Sequence, residues 1–321
     1  MKKKLTLLCV LLAVVSWFCL ELKDFPYFFW NQSFQDVFWQ FRLPRLLIAG
    51  FAGSALALSA LILQSYLKNP LAGASTLGIS SGASFMVALS TMGVGVFGLS
   101  PFWGLLSQVG ASFLGAISVM MFLLFLNRFQ NVPTTHLLLF GVMLSAFLES
   151  LTGLILWNSS AENVKGYLTW GMGSFEYFNL DFVKIVLPLW GLGIFFAFKS
   201  AKGLDLLILG QNSAEALGLK TNSHRGAVLL ATSILAATIT AFCGPIAFLG
   251  MATPHLVRWI FGSMPHFFMM IFCILFGAIL AVFSATLTAG FEGQLPLQTI
   301  TALWGAPVMM IVLWKNRTSR S

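Results

Sequence analysis

The sequence predicts an all-α, polytopic membrane protein with about ten transmembrane helices. Three observations carry that prediction. Of 321 residues, 58% are hydrophobic and 9% charged, against about 25% charged in soluble domains. Apolar runs of spanning length, about 17–25 residues, recur between short polar breaks. The charges also sort by loop. With the N-terminus inside and ten alternating spans, Lys2–Lys4, Lys68, Arg128, Lys199, Lys202, Lys220, Arg225, Arg258, Lys315, Arg317 and Arg320 fall on the cytoplasmic side. Lys23, Arg42, Arg45, Lys165 and Lys184 fall at the outer side, with most of the acidic residues. Adding or removing one span destroys this positive-inside separation. The net charge of +8 is therefore an orientation signal. No basic stripe outside the short loops offers a nucleic-acid surface.

Taken in order, Lys2–Lys4 precede the first apolar run, 5–20, which lacks a small-x-small cleavage site and reads as an uncleaved span. Glu21 to Gln40 is aromatic and acidic, an external interfacial segment. The second span, 44–67, opens at Pro44, where a missing N–H costs nothing, and ends in Lys68-Asn-Pro-Leu-Ala72. Spans three to five are 77–97, 102–126 and 136–157, the last containing Glu149. Span six, 182–198, contains Pro188. A polar break at 199–225 follows, then spans 226–243, 245–261, 266–290 and 295–314. Both termini are cytoplasmic in this scheme, and the whole chain, 1–321, is one transmembrane domain.

The central break carries a small helix with marked ends. Asn212 reads as its N-cap, Glu215 stands at capping-box spacing, and Gly218 can take the left-handed conformation that ends a helix. The helix presents Ala214, Leu217 and Leu219, with Leu206, Leu207 and Leu209 upstream. Two readings stay open: a knob for another protein's groove, or a loop helix folded back on its own bundle.

Three other features stand out. Arg45 lies at the positive end of a helix dipole, where a cation is mildly unfavourable. An acidic partner would favour it, and so would snorkelling to the headgroups. Asn69–Gly82 and Gly244–Pro254 are rich in Gly and Pro, one in each half of the chain. Such breaks fit an internal repeat with a pathway between its halves, and equally close helix packing through small residues. Glu149 is a carboxylate within a span, expensive and hence a functional-site candidate. It can line a pathway against a cationic or hydrogen-bonding substrate, or pair with a neighbouring hydroxyl.

No catalytic, metal or cofactor site is visible. His136, His224, His255 and His266 are scattered near span ends, and Cys9, Cys19, Cys243 and Cys273 lie in apolar runs without metal or disulfide spacing. Gly218-Leu-Lys-Thr221 lacks the glycine frame of a phosphate loop. If ATP powers transport, a partner subunit binds it.

Several motifs together resemble the FecCD-type permeases, the membrane subunits of ABC importers for iron-siderophores, haem and cobalamin. They are Arg42-Leu-Pro-Arg45; Gln64 with Asn69-Pro-Leu-Ala72; Leu77-Gly-Ile-Ser-Ser-Gly82; Leu137-Leu-Leu-Phe-Gly141; Gly171-Met-Gly-Ser174; Leu209-Gly210 with Ala214-Glu-Ala-Leu-Gly218; Gly244-Pro-Ile-Ala-Phe-Leu-Gly250 with Pro254-His255 and Arg258; and Gly305-Ala-Pro307. Each is weak alone, and their order and spacing are specific. The resemblance implies a type II ABC importer permease fold. It also implies a permease homodimer that binds no ATP itself, works on two ATPase subunits and is fed by an external binding protein. Arg42 and Arg45 then dock that protein. The segment Leu209, Gly210, Asn212, Ser213, Ala214, Glu215, Ala216, Leu217 and Gly218 couples to the ATPase. Read from the residues rather than from the family, Ser80, Ser81, Gly82 and Glu149 are the candidates for lining a translocation pathway. The chain departs from the family pattern at Ser284, Thr288 and Gln294, which puts a third docking arginine in doubt, and at Glu149. A different class of protein, an ion-coupled secondary transporter, needs a coupling-ion site that only Glu149 could anchor.

Overall fold

The structure is a computed structural model and describes residues 38–97, 101–130, 134–175, 180–290 and 295–318. The expected span 5–20 lies outside the described residues. Everything regular in the described chain is helical.

Helix α1 (Leu43–Leu67) is the axis of the bundle. Every residue from Ala52 to Gln64 is buried, as expected of a helix that is apolar or small on all sides. A short π turn, Phe38–Arg42, leads into it, with Pro44 in its first turn. It ends at Lys68, whose left-handed backbone (φ 50°) returns its N–H to the Gln64 carbonyl. The predicted break follows, with a 3-10 turn at Ser75–Leu77 and Gly78 at φ 79°. Helices α2 (Ile79–Phe97), α3 (Pro101–Gln130) and α4 (Thr134–Trp157) come next. The short α5 (Ala161–Gly171) is capped by the Ser160 hydroxyl, which accepts from the Asn163 N–H. Then come α6 (Leu180–Ile208), α7 (Gln211–Ala216), α8 (Thr221–Cys243), α9 (Leu249–Phe261), α10 (His266–Gly290) and α11 (Leu297–Thr318).

Helix α1 packs on α6, α8, α9 and α10, and a second group joins α2, α3 and α4. Leu229 and Ala236 of α8 pack into the second group, while Val228, Ala231 and Leu235 of the same helix pack into the first. Helix α8 therefore ties the two together. Small residues set the closest crossings, as expected where lipid gives no hydrophobic drive between helices. At the α1–α10 crossing a Cβ on Gly277 would sit 2.4 Å from the Gly53 carbonyl oxygen. Gly277→Leu should therefore force the helices apart and cost about 3 kcal/mol. Size-exclusion and melting of the purified variant check this; a monodisperse protein with unchanged melting would sink it.

Three boundaries differ most from the sequence reading. Helix α6 continues ten residues beyond 198, and α8 starts at Thr221 rather than 226. Lys199, Lys202 and Asp205 lie on a helix whose other face buries Ser200, Ala201, Gly203 and Leu204. Polarity there marks departure from the apolar layer, while the helix itself goes on. The eighth expected span starts at Leu249 rather than 245. Gly244 (φ 76°) and Phe248 (φ 61°) bracket a non-helical stretch, and a Cβ at Gly244 would lie 2.5 Å from the Trp170 carbonyl oxygen. At about 1.5 Å per residue, α9 is too short to cross the apolar layer alone. Irregular backbone at that depth requires protein or water around it, and the Ser174 N–H to Cys243 carbonyl bond (3.0 Å) supplies part of that. Among the described residues, α1, α3, α4, α6, α8 and α10 are long and apolar enough to cross a membrane, and the apolar parts of α2 and α11 are shorter.

Candidate coupling helix, docking arginines and membrane-depth carboxylate

Helix α7 hangs between α6 and α8. Its N-cap position is Gly210, not Asn212, and Asn212 lies inside the helix without capping it. The chain turns there at φ 100°, which glycine accepts at no steric cost. Glu215 does not complete a capping box. Its Oε1 accepts from Gln211 Nε2 (3.2 Å) and Thr221 Oγ1 (2.9 Å), so it fastens α7 to the first turn of α8. The Gln211 bond first, then the Thr221 bond, hold its carboxyl below the usual range, and the fastening is ionised at neutral pH. The C-terminal end matches expectation. The Gly218 N–H returns to the Glu215 carbonyl (2.9 Å) and the Leu219 N–H to the Ala214 carbonyl (3.0 Å), with Gly218 at φ 89°. This is the Schellman pattern.

One side of α7 folds back on its own bundle and the other faces outward. Ala214 is fully buried and seats the helix on the bundle. Ile208, Leu209 and Leu217 face outward, 69%, 62% and 61% exposed. Ser213, Ala216 and Gly218 are also exposed, and Leu219 is half-buried.

Near α7, side chains from α6, α8, α9 and α10 converge on the last turn of α1 and the loop that follows it. Gln64 donates to the Met251 carbonyl (3.0 Å) and accepts from Arg258 Nη1 (3.2 Å). The Arg225 guanidinium donates to the Tyr66 hydroxyl. His255 Nε2 donates to the Pro70 carbonyl (2.8 Å). Asp205 accepts from both the backbone N–H of His266 (3.0 Å) and its ring Nδ1 (2.6 Å), while Ser65 meets the ring Nε2 (2.9 Å). The sequence reading missed this belt. Its sequence signals were the charge sorting that placed Lys68, Arg225 and Arg258 on one side and the motifs that contain Gln64, Pro70, His255 and Arg258.

Arg42 and Arg45 lie at the opposite end of α1, half-buried and three residues apart, a spacing that shares one helix face. Glu149 lies on α4, exposed in the single chain, and accepts from the Ser81 hydroxyl at 3.0 Å. Ser84 hydrogen-bonds the Tyr167 phenol, which lies within electrostatic reach of Glu149. Ser84 and Tyr167 were not among the sequence candidates. Ser80 is half-buried. Gly82 takes another place: it is buried at the α2–α3 crossing, where its Cβ would meet the Gly115 carbonyl oxygen at 2.7 Å. Its size is accounted for by packing. Among the described residues no group of three His, Cys, Asp or Glu could hold a metal ion.

A family model, the FecCD transport family, matches residues 5–315. The chain belongs to the FecCD transport family. It is 32% identical over 302 residues to the hemin transport system permease protein of Yersinia pestis, covering 91% of this chain and 88% of that one. It is 30% identical over 317 residues to the vitamin B12 import system permease protein of Photorhabdus laumondii, covering 98% and 92%. A solved structure described as an inward-facing, metal-chelate type ABC transporter superposes with a TM-score of 0.87 at 27% identity, covering 98% of this chain and all of the other. The FecCD match therefore spans every helix from α1 to the start of the last turns of α11.

Proposed function

We propose that this chain is the membrane-spanning permease subunit of an ATP-driven importer for an iron-siderophore, haem or cobalamin-type substrate. The family match over residues 5–315 carries the reading. The protein is a multi-pass membrane protein. In this reading it has about ten spans, counting 5–20, with both termini in the cytoplasm, and it occupies the inner membrane. An external binding protein hands over the substrate near Arg42 and Arg45, whose charges set register and association rate more than affinity. A separate ATPase subunit binds the ATP and engages α7 through Leu209 and Leu217. Closure of the ATPases moves α7, and α6 and α8 carry the movement to the belt around the end of α1. A second copy of the permease completes the pathway. Support for the second copy comes from Glu149 on the exposed side of α4, because a carboxylate at that depth is costly against lipid.

Uptake of a radiolabelled ferric chelate or cobalamin by cells expressing the full system tests this. Uptake should stop on ATP depletion and persist when a protonophore collapses the proton gradient. Uptake lost to the protonophore at constant ATP would replace this reading with an ion-coupled transporter built on Glu149.

A further inference from the structure

At the end of the bundle that carries α7, a cavity of about 400 Å³ opens beside α1, α6, α9 and α10. Its lining mixes polar, basic and apolar residues. Lys68 and Arg258 line it together with Ser65, Ser263 and His266. Arg258 commits one Nη1 donor to Gln64, leaving others of its guanidinium fork. Lys68 is exposed at the left-handed end of α1. The lining contains no carboxylate. Asp205, which touches it through His266, is engaged by that residue's backbone and ring. The same lining holds the apolar side chains of Leu61, Leu207, Met264 and Met269.

The flanks decide what kind of anion fits. Trp259 (65% exposed), Ile260 and Phe267 stand exposed on the last turn of α9 and the first turn of α10. Exposed tryptophan with apolar neighbours at a helix end is typical of the headgroup level of a membrane. A free phosphate would use only the basic and polar lining residues. A molecule with a phosphate joined to an acyl chain uses the apolar ones as well, and basic pockets between spans on the cytoplasmic side take anionic lipid headgroups.

We propose that this cavity binds the phosphodiester headgroup of an acidic phospholipid, with Lys68 and Arg258 on the phosphate and the apolar lining residues along the start of its acyl chain. The inference rests on the permease reading, in which this end of the bundle lies at the cytoplasmic interface. Ile208 lines the same cavity and is two residues from the N-cap of α7, so the bound lipid braces the end of α6 from which α7 hangs.

The test uses the purified full chain in detergent, delipidated and then given dioleoylphosphatidylglycerol, dioleoylphosphatidylcholine or inorganic phosphate. Lipid retention is read by native mass spectrometry and stability by thermal melting. Phosphatidylglycerol should be retained and should raise the melting temperature; phosphatidylcholine and phosphate should do neither. Lys68→Gln with Ser263→Ala should weaken phosphatidylglycerol retention about tenfold, the equivalent of about 1.4 kcal/mol. Both residues are exposed, so melting without lipid should match the parent chain. Equal retention of the two lipids overturns the proposal, as does unchanged retention by the double variant. A full shift with phosphate alone overturns the lipid assignment in favour of a free-anion site. The assay contains no ATPase, so its failure is separate from failure of the chain to join an importer.

Discussion

Leu217→Asp should abolish co-purification of the chain with its ATPase and, with it, substrate import. Leu217 is 61% exposed at the C-cap of α7, Leu209 is 62% exposed just before its N-cap, and Ala214 between them is fully buried. Burying a leucine in a partner's groove contributes about 1.5–3 kcal/mol. An aspartate loses that contribution and adds the cost of desolvating a charge. A loss of at least about 3 kcal/mol is more than a hundredfold in affinity. The effect should be confined to the complex, because exposed substitutions change stability by about 0.5 kcal/mol or less. Affinity purification with tagged ATPase, alongside melting of the permease alone, checks both halves. A variant that keeps its ATPase at parental yield would remove α7 as the dock.

Glu149→Gln should lower import of a chelate that presents a cationic or hydrogen-bond-donor group about tenfold at equal expression. The amide can still accept from the Ser81 hydroxyl, so the contact at 3.0 Å is retained in shape while the charge is removed. A hydrogen bond to a charged group contributes about 1–1.5 kcal/mol more than a neutral one, which is about one decade. Import of a multiply anionic chelate should rise or stay level in the same variant, since the pathway role proposed for Glu149 makes its charge repulsive to such a substrate. Uptake by reconstituted vesicles of a cationic and an anionic ferric chelate separates these outcomes. Identical uptake of both chelates by parent and variant would reduce Glu149 to a packing partner of Ser81.

Much of the architecture was legible in the sequence. The helix starts near Pro44, the break after Lys68, the glycine end of α7 and the shortened helix after Gly244 all follow from local chemistry. Hydropathy, proline and glycine act on their own few residues, and a linear reading suffices for them. Local chemistry failed where two local rules competed. Asn212 and Glu215 satisfy a capping box on paper. In the fold Gly210 takes the cap position, and Thr221 draws Glu215 toward α8. Gly82 likewise resembles a pathway residue in sequence until α3 is laid across it.

What the sequence by itself determined is the class of protein, the placement of most apolar helices, the sorting of charge to two sides, and the motifs that the family match bears out. The tertiary structure alone decided which polar groups meet. Tyr66 and Arg225 are 159 residues apart, Gln64 and Arg258 are 194, and Ser65 and His266 are 201, yet each pair joins at the same end of α1. The reason is physical. The preference of a segment for lipid or water is summed along the chain, whereas a hydrogen bond between helices exists only after packing has brought both partners within about 3 Å.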